Sequence, residues 1–144
     1  MLYVDSSALV KKYVQEPGSD RVLKLLAQSG MTVTAKLAYP EILAGLNRKR
    51  REKGIAEKDY RDALADFESD WLALLIIEFQ DELLPLTKHL TAKHPLKGAD
   101  AVHLASALWI QKATKEKVSF VASDIQLLRA AKAEKLEITN PEGA

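Results

Sequence analysis

Five short apolar runs constrain this chain more than any other feature, because helix-length segments separate each of them from the next. The runs are Leu2-Tyr3-Val4, Met31-Thr32-Val33-Thr34, Leu74-Leu75-Ile76-Ile77-Glu78-Phe79, Val118-Ser119-Phe120-Val121-Ala122 and Leu136-Glu137-Ile138-Thr139. Several are rich in β-branched residues and read as strands. Between them lie helical segments of about Ala8 to Val14, Ser19 to Ala27, Pro40 to Lys53, Lys58 to Leu72, Asp81 to Lys93, Gly98 to Lys117 and Ile125 to Glu134. Strands alternating with helices predict a parallel sheet covered on both faces. Right-handed crossovers make this a three-layer α/β/α sandwich with a mostly parallel, roughly five-stranded central sheet. Local signals place the ends: Ser19 as the N-cap of its helix, Pro40 in a first turn, Gly54 as a C-cap, and Pro85 in a first turn or at a kink.

Composition narrows the class further. The chain has 144 residues, 47% of them hydrophobic and 28% charged, which suits one globular domain over residues 1–144. The 21 Lys and Arg against 20 Asp and Glu leave a net charge of +1, which argues against a generally basic nucleic-acid coat but leaves room for a local patch. No cysteine is present, so disulfides, thiolate zinc sites and thiol nucleophiles are excluded. The start, Met1 to Asp5, lacks a basic leader, and no apolar run reaches the ~18 residues of a membrane span. A cytoplasmic protein with no membrane partner is expected.

Most acidic residues sit in mixed-charge, solvated runs, but four do not. Asp5 follows the first strand, Asp124 follows the fourth after Ser123, Glu41 lies in the first turn after Pro40, and Asp100 opens a helix that is apolar nearly all round. Strand ends and the starts of the following helices share one edge of a parallel sheet, where such sheets bind ligands. Clustered carboxylates repel and are costly to bury, and a divalent cation relieves both penalties. Oxygen ligands without Cys or an obligatory His suit Mg²⁺, or Mn²⁺, better than zinc. Such an ion orients water and stabilises charge growing on a phosphodiester.

The same residues carry a resemblance. Tyr3-Val4-Asp5-Ser6-Ser7-Ala8-Leu9-Val10-Lys11 resembles the opening motif of the PIN-domain ribonucleases, notably the VapC-type toxins. Pro40-Glu41-Ile42-Leu43-Ala44-Gly45-Leu46 is similar to the second motif, and Ala99-Asp100-Ala101-Val102-His103-Leu104-Ala105-Ser106-Ala107-Leu108 to the third. Val121-Ala122-Ser123-Asp124, followed by Leu127-Leu128-Arg129-Ala130-Ala131, resembles the fourth. Lys36 departs from the pattern, since many relatives carry Ser or Thr there. The resemblance implies a Mg²⁺-dependent endoribonuclease that leaves a 5′-phosphate and a 3′-hydroxyl, usually dimeric and neutralised by a cognate antitoxin protein. It implies Asp5 and Asp100 as direct metal ligands, with Asp124 joining the metal set through water. Glu41, like Asp124, would complete the site through water or steer the nucleophile. Ser6, Ser123 and Arg48 are candidate contacts to the RNA substrate.

Simpler readings stand beside these. Asp5 could only form a turn, Glu41 and Asp100 could only favour helix starts, and Asp124 could only cap its helix. His103, amid Val102, Leu104 and Ala105, is expected to be a hydrogen-bonded packing residue rather than a general base. His89 and His94 are expected on a solvated segment, and Trp71 and Trp109 in core or dimer packing. The run Arg48-Lys49-Arg50-Arg51-Glu52-Lys53 reads first as a solvated helix end. Ser6 and Ser7 have no convincing His base, so a serine hydrolase is a poor reading. The main rival is a catalytically silent α/β interaction module with a structural metal site. A phosphoacceptor domain is more distant, because Leu136 to Thr139 offers no lysine.

Overall fold

A computed structural model describes residues 1–143. The strands are β1 (Leu2–Val4), β2 (Thr32–Ala35), β3 (Leu75–Ile77), β4 (Ser119–Val121) and β5 (Glu137–Thr139). The helices are α1 (Ser6–Leu9), α2 (Ser19–Gln28), α3 (Ala38–Arg51), α4 (Glu57–Trp71), α5 (Leu84–Lys93), α6 (Gly98–Thr114) and α7 (Ile125–Ala133). Short 3-10 turns at Val10–Lys12 and Asp81–Leu83 extend α1 and precede α5. The five strands form one sheet in the order β3-β2-β1-β4-β5, and all four pairings are parallel. The expected α/β/α sandwich is therefore present, with a wholly parallel sheet. Among the described residues no helix is long and apolar enough to cross a membrane.

Alternation along the central strand builds two cores. Leu2 and Val4 point to the face covered by α1, α3 and α4, where Leu9, Ile42, Leu46 and Phe67 are buried. Tyr3 points to the other face, with Phe120, Leu104, Leu127 and the helices α5, α6 and α7. Tyr3 and Phe120 are register partners on β1 and β4, and their rings stack at 5.3 Å with planes 7° apart. Thr34, the buried polar residue of β2, donates its hydroxyl to the Val4 carbonyl at 2.7 Å and so leaves no unpaired group.

Several element ends differ from expectation for identifiable reasons. Gly18, not Ser19, is the N-cap of α2: its φ of +92° and the approach of the Pro141 carbonyl to within 2.9 Å of where a Cβ would stand require glycine. The Ser19 hydroxyl instead donates to the Val14 carbonyl and accepts from the Glu16 N–H, closing the preceding turn. At the end of α3, Lys53 takes the left-handed position, and the Gly54 N–H bonds back to the Lys49 carbonyl at 2.8 Å. The expected helix from Ala8 to Val14 is the short α1 and its 3-10 turn, starting at Ser6 because Asp5 caps it. Lys11 is buried there, paired with Glu16 at 2.9 Å and reaching Glu142 at 3.6 Å, which ties the C-terminal segment to the turn before α2.

Candidate active site

The strand order sets the position of the site. From β1 the chain crosses through α1 and α2 to β2, whereas from β4 it crosses through α7 to β5 on the other side. The two neighbouring strands thus send their chains in opposite directions and open a crevice at their carboxyl ends. Asp5 stands at the end of β1, and Ser123 and Asp124 at the end of β4. Helices α3 and α6 begin on this same edge, with Glu41 and Asp100 in their first turns. All four expected acids share the edge.

Each acid is anchored by its local backbone. Asp5 is buried and caps α1, its Oδ1 accepting from the Ala8 N–H at 3.0 Å. The Ser7 hydroxyl donates to the Asp5 carboxylate at 2.8–2.9 Å and accepts from the Ser123 N–H at 3.2 Å, which ties β1 to β4. Asp124 caps α7 through Oδ1 and the Leu127 N–H at 2.9 Å, so its capping and site placements coexist. Glu41 Oε1 accepts from His103 Nε2 at 2.7 Å, and the other ring nitrogen of His103 meets the Tyr3 hydroxyl at 2.8 Å.

The electrostatics show how strongly these groups feel one another. Burial pushes the Asp5 carboxyl up to about 6; His103, Ser7 and the Ala8 N–H oppose that rise, and Asp100 adds to it. Asp100 is also held above the usual carboxylate range, by burial first and then by Asp124, with Glu41 contributing; His103 and Lys97 act against the rise. Burial pushes Glu41 up as well, but its bond to His103, the charge of that ring and the Ser6 hydroxyl outweigh it, leaving the carboxylate below its ordinary range. Tyr3 keeps its proton to well above its ordinary value because it is buried and faces the Asp5 charge.

The donor set fits a hard divalent cation. The four carboxylates supply only oxygen, two of them are raised by burial and mutual repulsion, and the buried Ser123 Oγ beside them lacks a hydrogen-bond partner among the described residues. They do not form a closed cage: among the described residues no three His, Asp or Glu side chains converge as a ready metal-binding group. Asp5, Glu41 and Asp124 each commit an oxygen to a backbone N–H or to His103.

Among the other expected residues, Ser6 lies beside Glu41 and Ser123 at the β4 end, both at the acidic edge. Arg48 lies elsewhere, exposed near the far end of α3 and about 10 Å along the helix axis from Glu41 at 1.5 Å per residue. Its basic neighbours are engaged locally: Lys49 reaches Glu16 at 3.6 Å, while Arg50 pairs with Glu57 and stacks over Tyr60. Lys36, exposed at the end of β2, pairs with Glu78 at 3.1 Å. Sequence reading missed Ser7 and Tyr3. Ser7 could have been found as a hydroxyl two residues after a helix-capping acid, but nothing local marks Tyr3 as the partner of a ring a hundred residues away.

The sequence model of the PIN domain family matches residues 2–133. Ribonuclease VapC45 of Mycobacterium tuberculosis is 38% identical over 108 residues, which cover 75% of this chain and 75% of that protein. Among solved structures, a toxin–antitoxin complex from Klebsiella pneumoniae superposes with a TM-score of 0.66 at 15% identity, covering 100% of both chains. VapC20 of Mycobacterium tuberculosis, described as a sarcin-ricin loop cleaving toxin, gives a TM-score of 0.66 at 15% identity, covering 94% of this chain and 96% of that one. At such identities the two structures speak for the fold.

Proposed function

The chain belongs to the PIN-domain family, and from that premise we propose that it is a Mg²⁺-dependent endoribonuclease, the toxin of a toxin–antitoxin pair. One observation carries the reading: Asp5, buried at the end of β1, and Asp100, in the first turn of α6, share the crevice edge, where burial raises both carboxyls and neighbouring acids raise them further. A fold tolerates such a cluster where a positive charge and a reacting phosphodiester complete it. The name of the 38% identical relative supports RNA as the substrate.

In this reading Asp5 and Asp100 would hold the cation directly, with Asp124 joining through water. Mg²⁺, or Mn²⁺ in its place, supplies charge neutralisation and polarisation of the phosphoryl oxygen when bound. Glu41, fixed on one oxygen by His103, turns its remaining capacity to the attacking water, orienting it and accepting its hydrogen bond. Ser6 and the unpartnered hydroxyl of Ser123 are donors for a non-bridging phosphate oxygen.

The test is cleavage of a panel of structured RNAs with Mg²⁺, Mn²⁺ or EDTA, alongside the Asp100→Asn protein. Cleavage that needs metal and disappears in the variant is expected. Equal cleavage by both proteins would assign the activity to a contaminant. No cleavage by either would favour a non-catalytic interaction module whose acids bind a cation structurally.

The same reading places the protein in the cytoplasm with a cognate antitoxin as partner, supported by the likeness to a toxin–antitoxin complex. The antitoxin would lay an extended or helical segment over the acidic crevice and present an Arg or Lys to it. A purified complex that leaves the crevice open and cleavage intact would refute that placement. A homodimer completes the reading, with Leu72, Phe79 and Leu84 as exposed apolar side chains available to an interface.

A further inference from the structure

Helix α6 is buried on nearly every side, and His103 is the one imidazole within it, 1% exposed. A polar ring in such surroundings must satisfy both nitrogens or be strongly destabilising. It does so with two side chains from two other elements: Tyr3 on β1 at 2.8 Å and Glu41 on α3 at 2.7 Å. An ionised carboxylate only accepts, so Nε2 carries the proton given to Glu41. Nδ1 then meets the Tyr3 hydroxyl, which can donate to it or accept from it. Tyr3 is itself fully buried in the central strand and stacked on Phe120. An unbroken chain of contacts therefore runs from the middle of the sheet to a half-buried carboxylate at its open edge.

Packing alone would be met by any two polar partners, nearby backbone carbonyls or hydroxyls included, whereas here one of the two is a carboxylate at the crevice. A glutamate on a helix's first turn has three side-chain torsions to restrain, and a short bond to a buried ring restrains them. We infer that His103, seated on Tyr3, is the positioning residue that fixes Glu41 in the crevice, so that one carboxylate oxygen is committed and the other faces the reacting water. The inference rests on the nuclease reading for its catalytic consequence, while the hydrogen-bonded chain stands on geometry alone.

Two side-chain amides separate positioning from packing. In His103→Gln the amide nitrogen falls near the place of Nε2 and can still donate to Glu41. In His103→Asn the amide falls near Nδ1, keeping Tyr3 and losing Glu41. The expected result is that kcat for RNA cleavage falls about 10- to 100-fold in His103→Asn with KM little changed, the penalty for a misplaced group. The His103→Gln protein should keep most of its kcat, although both variants lose thermal stability to a similar extent. Equal kcat losses in the two variants would overturn the inference and leave His103 as a packing residue.

A second measurement is independent of activity. The ¹⁵N resonances of the His103 ring should respond one nitrogen at a time, with Glu41→Ala moving Nε2 and Tyr3→Phe moving Nδ1. Ring nitrogens that ignore both substitutions would overturn the inference even in a protein that cleaves RNA. If the wild type does not cleave RNA and the resonances still respond as stated, the nuclease reading fails while the positioning chain stands.

Discussion

The molecule contains two histidine–glutamate contacts of equal length in unlike surroundings. His94, at the end of α5, meets Glu134, at the end of α7, at 2.7 Å, as His103 meets Glu41. Glu134 also has the ammonium of Lys93 at 3.0 Å, and its carboxyl is held below the ordinary range chiefly by the His94 bond, with Lys93 adding to it. That cluster closes on itself and joins two helix ends. Glu41 has acids for neighbours instead, and its charge weighs on Asp100 and Tyr3. The contact itself says little about function. What separates a clasp from a candidate site is whether the surroundings cancel the charge or accumulate it.

The sharpest way to break this contrast is to neutralise both glutamates in turn. Glu41→Gln should lower the rate of RNA cleavage by about 100-fold or more, the range for loss of a positioned acid–base group. Glu134→Gln should leave the cleavage rate unchanged. Comparable losses in initial-rate assays of the two proteins would erase the distinction.

The next effect concerns stability in the acidic crevice. Because the folded-state pKa of Asp5 is raised to about 6 from 3.8, the folded protein holds this proton more tightly than the unfolded chain does. Asp5 therefore makes the wild type lose stability as pH rises from about 4 to 6, with no further change above. At 1.36 kcal/mol per pKa unit the full loss is of order 2–3 kcal/mol. In EDTA at pH 7, Asp5→Asn should thus be more stable than wild type, most of the gap opening between pH 4 and 6 in denaturant titrations. Added Mg²⁺ should raise the melting temperature of the wild type and have little effect on Asp5→Asn. A variant less stable than wild type at pH 7 would contradict the burial of an uncompensated carboxylate.

The smallest effect belongs to the clasp. Glu134→Gln should cost about 1 kcal/mol at neutral pH, for a charge-assisted bond replaced by a neutral one. The lowered carboxyl of Glu134 has the opposite sign to Asp5. Its contribution is present above the ordinary value of 4.5 and is lost as pH falls through the folded-state value, so the gap to the variant should narrow in acid. A gap that widens below pH 4 would mean that Glu134 is not held by cations.

Much of this arrangement is legible in the sequence. Apolar runs such as Leu2 to Val4 and Val118 to Ala122 announce strands, and an acid directly after a strand or in the first turn of a helix falls on the edge that a parallel sheet reserves for ligands. Periodicity therefore finds Asp5, Glu41, Asp100 and Asp124. It does not find their partners, because Tyr3 and His103 lie in separate elements that meet only after the sheet and α6 have packed. His94 illustrates the same limit. A lysine-flanked histidine reads as solvated, yet α7 brings Glu134 to it and leaves its side chain 11% exposed. Arg48 shows the converse: a basic run that begins about three turns into a helix starting at the site ends far from it, since the axis carries it away.

The place of β4 beside β1 has a consequence for how the protein is made. A ribosome delivers Asp5, Glu41 and Asp100 before it delivers Ser119, and until then β1 lacks the neighbour that pairs with it on that side. The wall of the crevice formed by Ser123 and Asp124 is the last part of the site to leave the exit tunnel, and its bond to Ser7 spans 116 residues. Under the proposed activity, competence waits for β4: no stretch of the chain that stops short of Ser119 holds a complete crevice.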